Sequence, residues 1–124
     1  MANRVRRVCY VEDSPELRTR VLSEMSRLDS IEVVGFSESS EDAIRQIRCT
    51  QPDLVVLDLQ LADGSGFDVL RAFFGVAGAP TMIVLTNHSD ALSRELSLRA
   101  GAQYVFDKSV EFEDFLLLLE KIGR

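Results

Sequence analysis

Four short apolar runs of this 124-residue chain each end on polar residues suited to phosphate chemistry. The runs are 8–11 before Glu12 and Asp13, 54–57 before Asp58, 82–85 before Thr86, and 104–107 before Lys108. If the runs are strands of one parallel sheet, their carboxyl ends open on one edge, where ligands of open α/β folds bind. The sequence therefore predicts a site assembled from strand ends.

The residue types at these ends match the needs of phosphoryl transfer to a carboxylate. An attacking aspartate must be ionised and must approach an anionic donor, so positive charge has to be supplied. Glu12, Asp13 and Asp58 offer the oxygen ligands that Mg²⁺ prefers, and without a cation these carboxylates would raise one another's pKa values. Lys108 adds a compact positive charge, and the Thr86 hydroxyl can donate a hydrogen bond to a phosphoryl oxygen.

Alternating strand and helix patterns place these residues in an α/β fold. A run of four apolar residues at 54–57 shows no alternation, as is typical of a parallel strand covered on both faces. Capping signals and three-and-four spacing of apolar residues indicate helices between the strands. Strands are predicted over 4–11, 31–36, 54–57, 82–85 and 104–106, and helices over 15–28, 39–51, 67–74, 89–100 and 111–122. Five βα units predict a three-layer, doubly wound fold with a parallel five-stranded sheet in the order 2-1-3-4-5.

Length and composition exclude several classes of protein. We expect one domain over residues 1–124 with no output domain. The net charge of −6 without a basic cluster argues against direct nucleic-acid binding and favours a cation. No apolar stretch is long enough to span a membrane, so we expect no membrane partner and a cytoplasmic location. Cys9 and Cys49 have no metal-ligand spacing, and we interpret Cys9 as a small buried hydrophobe.

The joint order of four motifs resembles a bacterial two-component response-regulator receiver domain, of the stand-alone type, over the whole chain. The motifs are Val11-Glu12-Asp13-Ser14, Val56-Leu57-Asp58-Leu59 with Gly64-Ser65-Gly66-Phe67, Val84-Leu85-Thr86, and Gly101-Ala102 followed by Asp107-Lys108-Ser109. The resemblance implies the flavodoxin-like (βα)5 receiver fold. It also implies that the chain is a phosphoacceptor of a phosphorelay rather than an enzyme with a separate substrate.

The resemblance assigns a role to each acidic position. Asp58 would accept a phosphoryl group from a sensor histidine kinase or a histidine phosphotransfer domain. Asp13 and Asp58 would bind Mg²⁺ directly, and Glu12 would act through water. The backbone carbonyl of Gln60 would complete the protein's share of the ligands.

The resemblance also implies how phosphorylation is read out. Thr86 and Lys108 would hold the phosphoryl oxygens, and in the family the threonine moves inward and reshapes the face formed by the fourth helix, fifth strand and fifth helix. That face would bind a downstream effector protein. We expect a monomer or weak dimer that assists its own phosphorylation and dephosphorylation.

One departure from the family concerns the switch. Its aromatic residue should fall at Val105, between Tyr104 and Phe106. Val105 is then either a packed strand residue or part of a rearranged switch that uses Tyr104. We favour the packed residue because neighbouring strand residues face opposite ways.

Other positions bear on the lifetime of the phosphoryl group. Asn87 stands where the family commonly has a small residue, so its side chain would narrow access to the site. Gln60 and His88 lie two residues beyond Asp58 and Thr86, from where side chains overlook the phosphoryl group in the family. His88 is equally consistent with an exposed loop residue without a role. Ser109 replaces a frequent proline that would help to aim Lys108.

Two alternative functions agree with parts of the sequence. A pseudo-receiver would keep the site but act as a binding module that needs no phosphorylation. An aspartate-nucleophile phosphatase of the haloacid-dehalogenase type fits less well, because Asp58-Leu59-Gln60 lacks the second acid of that family. A further alternative is that the chain is one domain of a longer protein. On the last helix, Leu117 and Leu118 widen the apolar stripe, which indicates either a broad core face or a partner surface.

Overall fold

Runs of aliphatic and β-branched residues form a central sheet of five parallel strands in the computed structural model, which describes residues 5–87 and 89–122. The strands of this sheet, numbered in chain order, are β1 (Arg6–Val11), β2 (Ile31–Ser37), β3 (Leu54–Leu57), β4 (Thr81–Thr86) and β5 (Tyr104–Asp107). Their spatial order is β2-β1-β3-β4-β5, and each neighbouring pair is parallel. The predicted doubly wound fold and strand order are confirmed.

Five helices connect and follow the strands. They are α1 (Pro15–Ser26), α2 (Ser40–Thr50), α3 (Gly66–Phe73), α4 (Ala91–Arg99) and α5 (Phe112–Ile122). Serines cap the first two, since the side chain of Ser14 accepts from the Leu17 amide and that of Ser39 accepts from the Asp42 amide. No helix in the described ranges has the length and apolar character needed to cross a membrane.

The helices cover both faces of the sheet and create two apolar clusters. One cluster lies beneath α2 and α3 and includes Val55 and Val84, and the other lies beneath α1 and α5 and includes Val56 and Leu85. Consecutive residues of a strand thus enter opposite clusters, as the pleat requires. Cys9 is buried in the first cluster, which confirms its interpretation as a small hydrophobe.

Several predicted boundaries differ from the structure by one or two residues. Helix α1 ends at Ser26 rather than Leu28, because Arg27 caps it by donating its backbone N–H to carbonyls of the last turn. Helix α4 starts at Ala91 rather than at Ser89, because the Asp90 side chain accepts from the Ser93 amide as the cap. The segment between β3 and α3, where no strand is predicted from the sequence, contains a two-residue antiparallel ribbon, Gln60–Leu61 with Gly64–Ser65.

Candidate functional site

Lys108 joins two of the predicted acidic residues at the carboxyl edge of the sheet. Its Nζ donates to Asp58 Oδ2 at 2.8 Å and also pairs with Glu12 Oε1. The side chains of Lys108, Glu12 and Asp58 are 7%, 1% and 11% exposed. Residues separated by up to 96 positions therefore meet in one largely dehydrated ion-pair cluster, as the strand-end pattern predicted.

Burial and pairing set the protonation of this cluster. Burial raises the pKa of Glu12 above its usual 4.5, although the hydrogen bond from Lys108 opposes this shift. Burial alone would lower the pKa of Lys108, but its hydrogen bonds with Asp58 and Glu12 outweigh that effect and raise the pKa above 10.5. The ammonium is therefore charged at neutral pH and offsets the negative charge of the buried acids.

Backbone contacts fix the position of Asp58 at the end of β3. Its Oδ1 accepts from the Leu59 amide at 2.7 Å, and its own amide donates to the Val11 carbonyl at 3.1 Å. Gly66 packs against the same backbone, where an added Cβ would lie 2.2 Å from the Asp58 carbonyl oxygen. Only glycine fits this approach, which explains the Gly66 position of the recognised motif.

Thr86 ends β4 and Asn87 follows it, next to the turn that carries Lys108. Thr86 is fully buried and its carbonyl accepts from the Lys108 amide at 3.0 Å. Asn87 is exposed, and its Oδ1 lies 3.4 Å from the Ser109 hydroxyl. His88, a predicted modulator, lies outside the described residues, and Gln60 is exposed at the start of the ribbon.

Val105 and Tyr104 lie on opposite faces of β5. Val105 pairs in register with Val84 and packs in the same cluster, on the face toward which Thr86 also points. Tyr104 stacks on Phe106 on the other face, with ring centroids 6.4 Å apart. Val105 is thus a packed strand residue, and the Tyr104 ring is not on the Thr86 side of the sheet.

Of the predicted metal ligands, the side chains of Glu12 and Asp58 converge and form an oxygen-rich pair rather than a complete cage. Among the described residues, no group of three or more His, Cys, Asp and Glu side chains is arranged to hold a metal ion. Glu12 and Asp58 nevertheless converge on one cation, the Lys108 ammonium. Because Mg²⁺ commonly takes only one or two protein carboxylates, with waters and phosphate oxygens as its other ligands, this donor set fits the ion.

Several polar residues around the site were not identified from the sequence. Asp63 accepts from the Ser40 amide at 2.7 Å and from the Glu41 amide at 3.2 Å, and so ties the ribbon after Asp58 to the start of α2. Arg94 and Glu111 form an ion pair beside β5. These contacts join residues 17 to 23 positions apart that share no motif.

Similarity to known proteins covers nearly the whole chain. The family model of the response regulator receiver domain matches residues 8–120. The transcriptional regulatory protein CitB of Klebsiella pneumoniae is 30% identical over 116 residues, which are 92% of this chain and 49% of CitB. A protein-glutamate methylesterase/protein-glutamine glutaminase of Myxococcus xanthus is 31% identical over 103 residues, which are 82% of this chain and 30% of that protein. The chain thus spans about half or less of these relatives.

Solved structures agree in fold. A two-component response regulator of the LuxR family from Aurantimonas sp. SI85-9A1 superposes with a TM-score of 0.87 at 27% identity, covering 96% of this chain and 85% of that one. The BeF3-activated N-terminal receiver domain of Klebsiella pneumoniae RstA gives 0.83 at 26% identity, with 95% and 98% covered. The chain therefore shares its fold with response-regulator receiver domains.

Proposed function

The chain belongs to the response regulator receiver domain family of two-component systems, and from this premise we propose that Asp58 is its phosphoacceptor. The observation that carries the proposal is the buried Asp58 carboxylate, held at the end of β3 and paired with the Lys108 ammonium at 2.8 Å. A carboxylate buried at this cost is stabilised by its partners. Its position at the carboxyl end of β3 lies on the sheet edge where ligands of open α/β folds bind.

The reaction follows from the groups around Asp58. A carboxylate oxygen of Asp58 attacks phosphorus, forming the aspartyl phosphate as the bond from phosphorus to the donor's histidine nitrogen breaks. Lys108, which already contacts Asp58 Oδ2, is placed to pair with an oxygen of the transferred group. The Thr86 hydroxyl can donate to a second oxygen.

Magnesium is part of the proposal. When bound, Mg²⁺ would offset the negative charge of the carboxylates and of the phosphoryl group. Glu12, Asp13, Asp58 and the Gln60 carbonyl are the residues proposed to hold it, and the convergence of the Glu12 and Asp58 oxygens supports this choice. The proposed phosphoryl donor is a sensor histidine kinase or a histidine phosphotransfer domain, and the output is the binding of an effector protein at the face of α4, β5 and α5.

Incubation with Mg²⁺ and a small acyl phosphate tests the proposal. Intact-mass measurement should find one added phosphoryl group on the wild type and on Asp114→Asn, a control at an exposed aspartate of α5. Asp58→Asn should remain unmodified, and chelation of the metal should abolish labelling of the wild type. Equal labelling of Asp58→Asn and the wild type would contradict the assignment, and no labelling of any protein would favour the pseudo-receiver.

A further inference from the structure

Arg94 on α4 links three separate parts of the chain beside the site. Its Nε donates to the Ser89 carbonyl at 2.9 Å, and its Nη1 donates to the Val105 carbonyl at 3.0 Å. Its remaining nitrogen pairs with the Glu111 carboxylate at the start of α5. A planar guanidinium can make these contacts together, whereas a lysine ammonium cannot reproduce their geometry.

Asp107 extends this network to the turn that carries Lys108. Its carboxylate accepts from the Ser89 hydroxyl and from the amides of Ser109 and Val110 at 2.7 and 3.1 Å. Its own amide donates to Glu111 Oε1 at 2.9 Å, the oxygen that Arg94 also contacts. We call Ser89, Arg94, Asp107 and Glu111 the polar clamp.

Two members of the polar clamp are close in the chain to Thr86 and Lys108, the residues proposed to hold the phosphoryl oxygens. Ser89 is three residues past Thr86, and Asp107 immediately precedes Lys108. A displacement of the loop after β4 toward a modified Asp58 would therefore move the Ser89 carbonyl and hydroxyl, which are bound by Arg94 and Asp107. The side chain of Val105 has no hydrogen-bonding group, so it cannot transmit this movement through a polar contact.

We propose that Arg94 is the positioning residue that transmits a change at Asp58 to β5 and α5, through the polar clamp rather than through the side chain at 105. The inference rests on the proposed function, because it takes the modification of Asp58 as the signal. Arg94 and Glu111 are 35% and 31% exposed, so water can take over their hydrogen bonds when one is replaced. Replacement should thus uncouple the surface without unfolding the domain.

The test compares Arg94→Gln with Arg99→Gln in the full chain. Arg99 lies on the same helix, is exposed and pairs with Glu95 one turn away, so its replacement removes a matched charge outside the clamp. Amide resonances are recorded with Mg²⁺, with and without beryllofluoride. The amides of Leu59 and Gly66 report binding at Asp58, and those of Phe106 and Leu117 report the response of β5 and α5.

In the wild type and Arg99→Gln, both sets of resonances should shift. In Arg94→Gln, the Leu59 and Gly66 shifts should persist while those of Phe106 and Leu117 are lost. Equal shifts at Phe106 and Leu117 in Arg94→Gln and Arg99→Gln would overturn the role of Arg94. Absence of shifts at Leu59 and Gly66 in the wild type would instead overturn the proposed function, so the two failures are distinguishable.

A second variant keeps the test decisive if Arg94→Gln does not fold. Ser89→Ala removes only the hydroxyl contact to Asp107 and leaves the backbone carbonyl for Arg94. It should weaken the Phe106 and Leu117 shifts relative to Ser93→Ala, a serine within α4. Unchanged shifts in a folded Ser89→Ala would overturn the participation of the clamp.

Discussion

At the residue scale, Lys108 supplies the positive charge that stabilises the buried acidic site in the folded protein. The lysine is the cation that Glu12 and Asp58 share, and all three side chains are largely removed from water. Breaking a buried ion pair by removing one partner leaves an uncompensated charge and typically costs about 3–5 kcal/mol. The same ammonium is thus structural before any phosphoryl group arrives.

Lys108→Met should therefore destabilise the domain by about 3 kcal/mol at neutral pH, because two buried carboxylates lose their counter-charge. Urea unfolding followed by far-ultraviolet circular dichroism measures this free energy. Lys121→Met is the matched control, since Lys121 is the only other lysine and is exposed on α5. The ion-pair interpretation fails if Lys108→Met unfolds within about 0.5 kcal/mol of the control.

The sequence was sufficient to predict the residues that meet at the site but not those that support them. Asp58, Glu12 and Lys108 were predicted together because parallel strands share one carboxyl edge. Arg94 and Glu111 carry no signal in the sequence, since their pairing depends on how α4 crosses β5. Whether Asp13, Gln60 and Asn87 act as proposed stays a prediction.

At the element scale, short apolar runs located every strand of the central sheet, whereas the ends of elements depended on local caps. Two-residue strands such as Gln60–Leu61 are too short to show a period, so the ribbon was missed. On α5, the structure shows which of two leucines belongs to the core, which the apolar pattern of the sequence left open. Leu118 packs against the core, whereas Leu117 is 56% exposed and belongs to the surface.

The attachment of α5 and α4 to β5 should depend on acidity. Hydrogen bonds from Arg94 hold the pKa of Glu111 below its usual 4.5. A carboxyl group whose pKa is lowered by folding contributes stability that is present above 4.5 and is lost as the pH falls through the folded-state value. Acid should therefore weaken this part of the fold.

Glu111→Gln should reduce stability at neutral pH and lose less stability than the wild type when the pH falls below 4.5. Urea midpoints measured at neutral and acidic pH give the two slopes. Glu113 is an exposed carboxylate two residues further along the chain, in α5, and Glu113→Gln should retain the slope of the wild type. Parallel pH profiles for Glu111→Gln and the wild type would rule out this contribution.

At the scale of the whole molecule, one sheet separates two apolar clusters, and each strand contributes different residues to the two clusters. Val55 and Val56 are consecutive in β3 yet enter opposite clusters, so neither cluster can lose its packing without disturbing the strand that serves both. The domain should unfold in a single transition, as small domains with one shared scaffold do. Because each strand contacts both clusters, a structural change at the sheet edge can affect the helices on either face.

Leu70→Ala and Leu119→Ala test this cooperativity from opposite faces. Leu70 is a buried residue of α3 and Leu119 a buried residue of α5, so each variant should lose about 2–5 kcal/mol of unfolding free energy. The chain has no tryptophan and two tyrosines, so a Tyr104→Phe background leaves the fluorescence of buried Tyr10 as a probe of the α1 and α5 face. Because the sheet couples the faces, Leu70→Ala should lower the urea midpoint of Tyr10 fluorescence as far as that of circular dichroism. A Tyr10 transition that stayed at its original midpoint while circular dichroism shifted would mean that the two layers unfold independently.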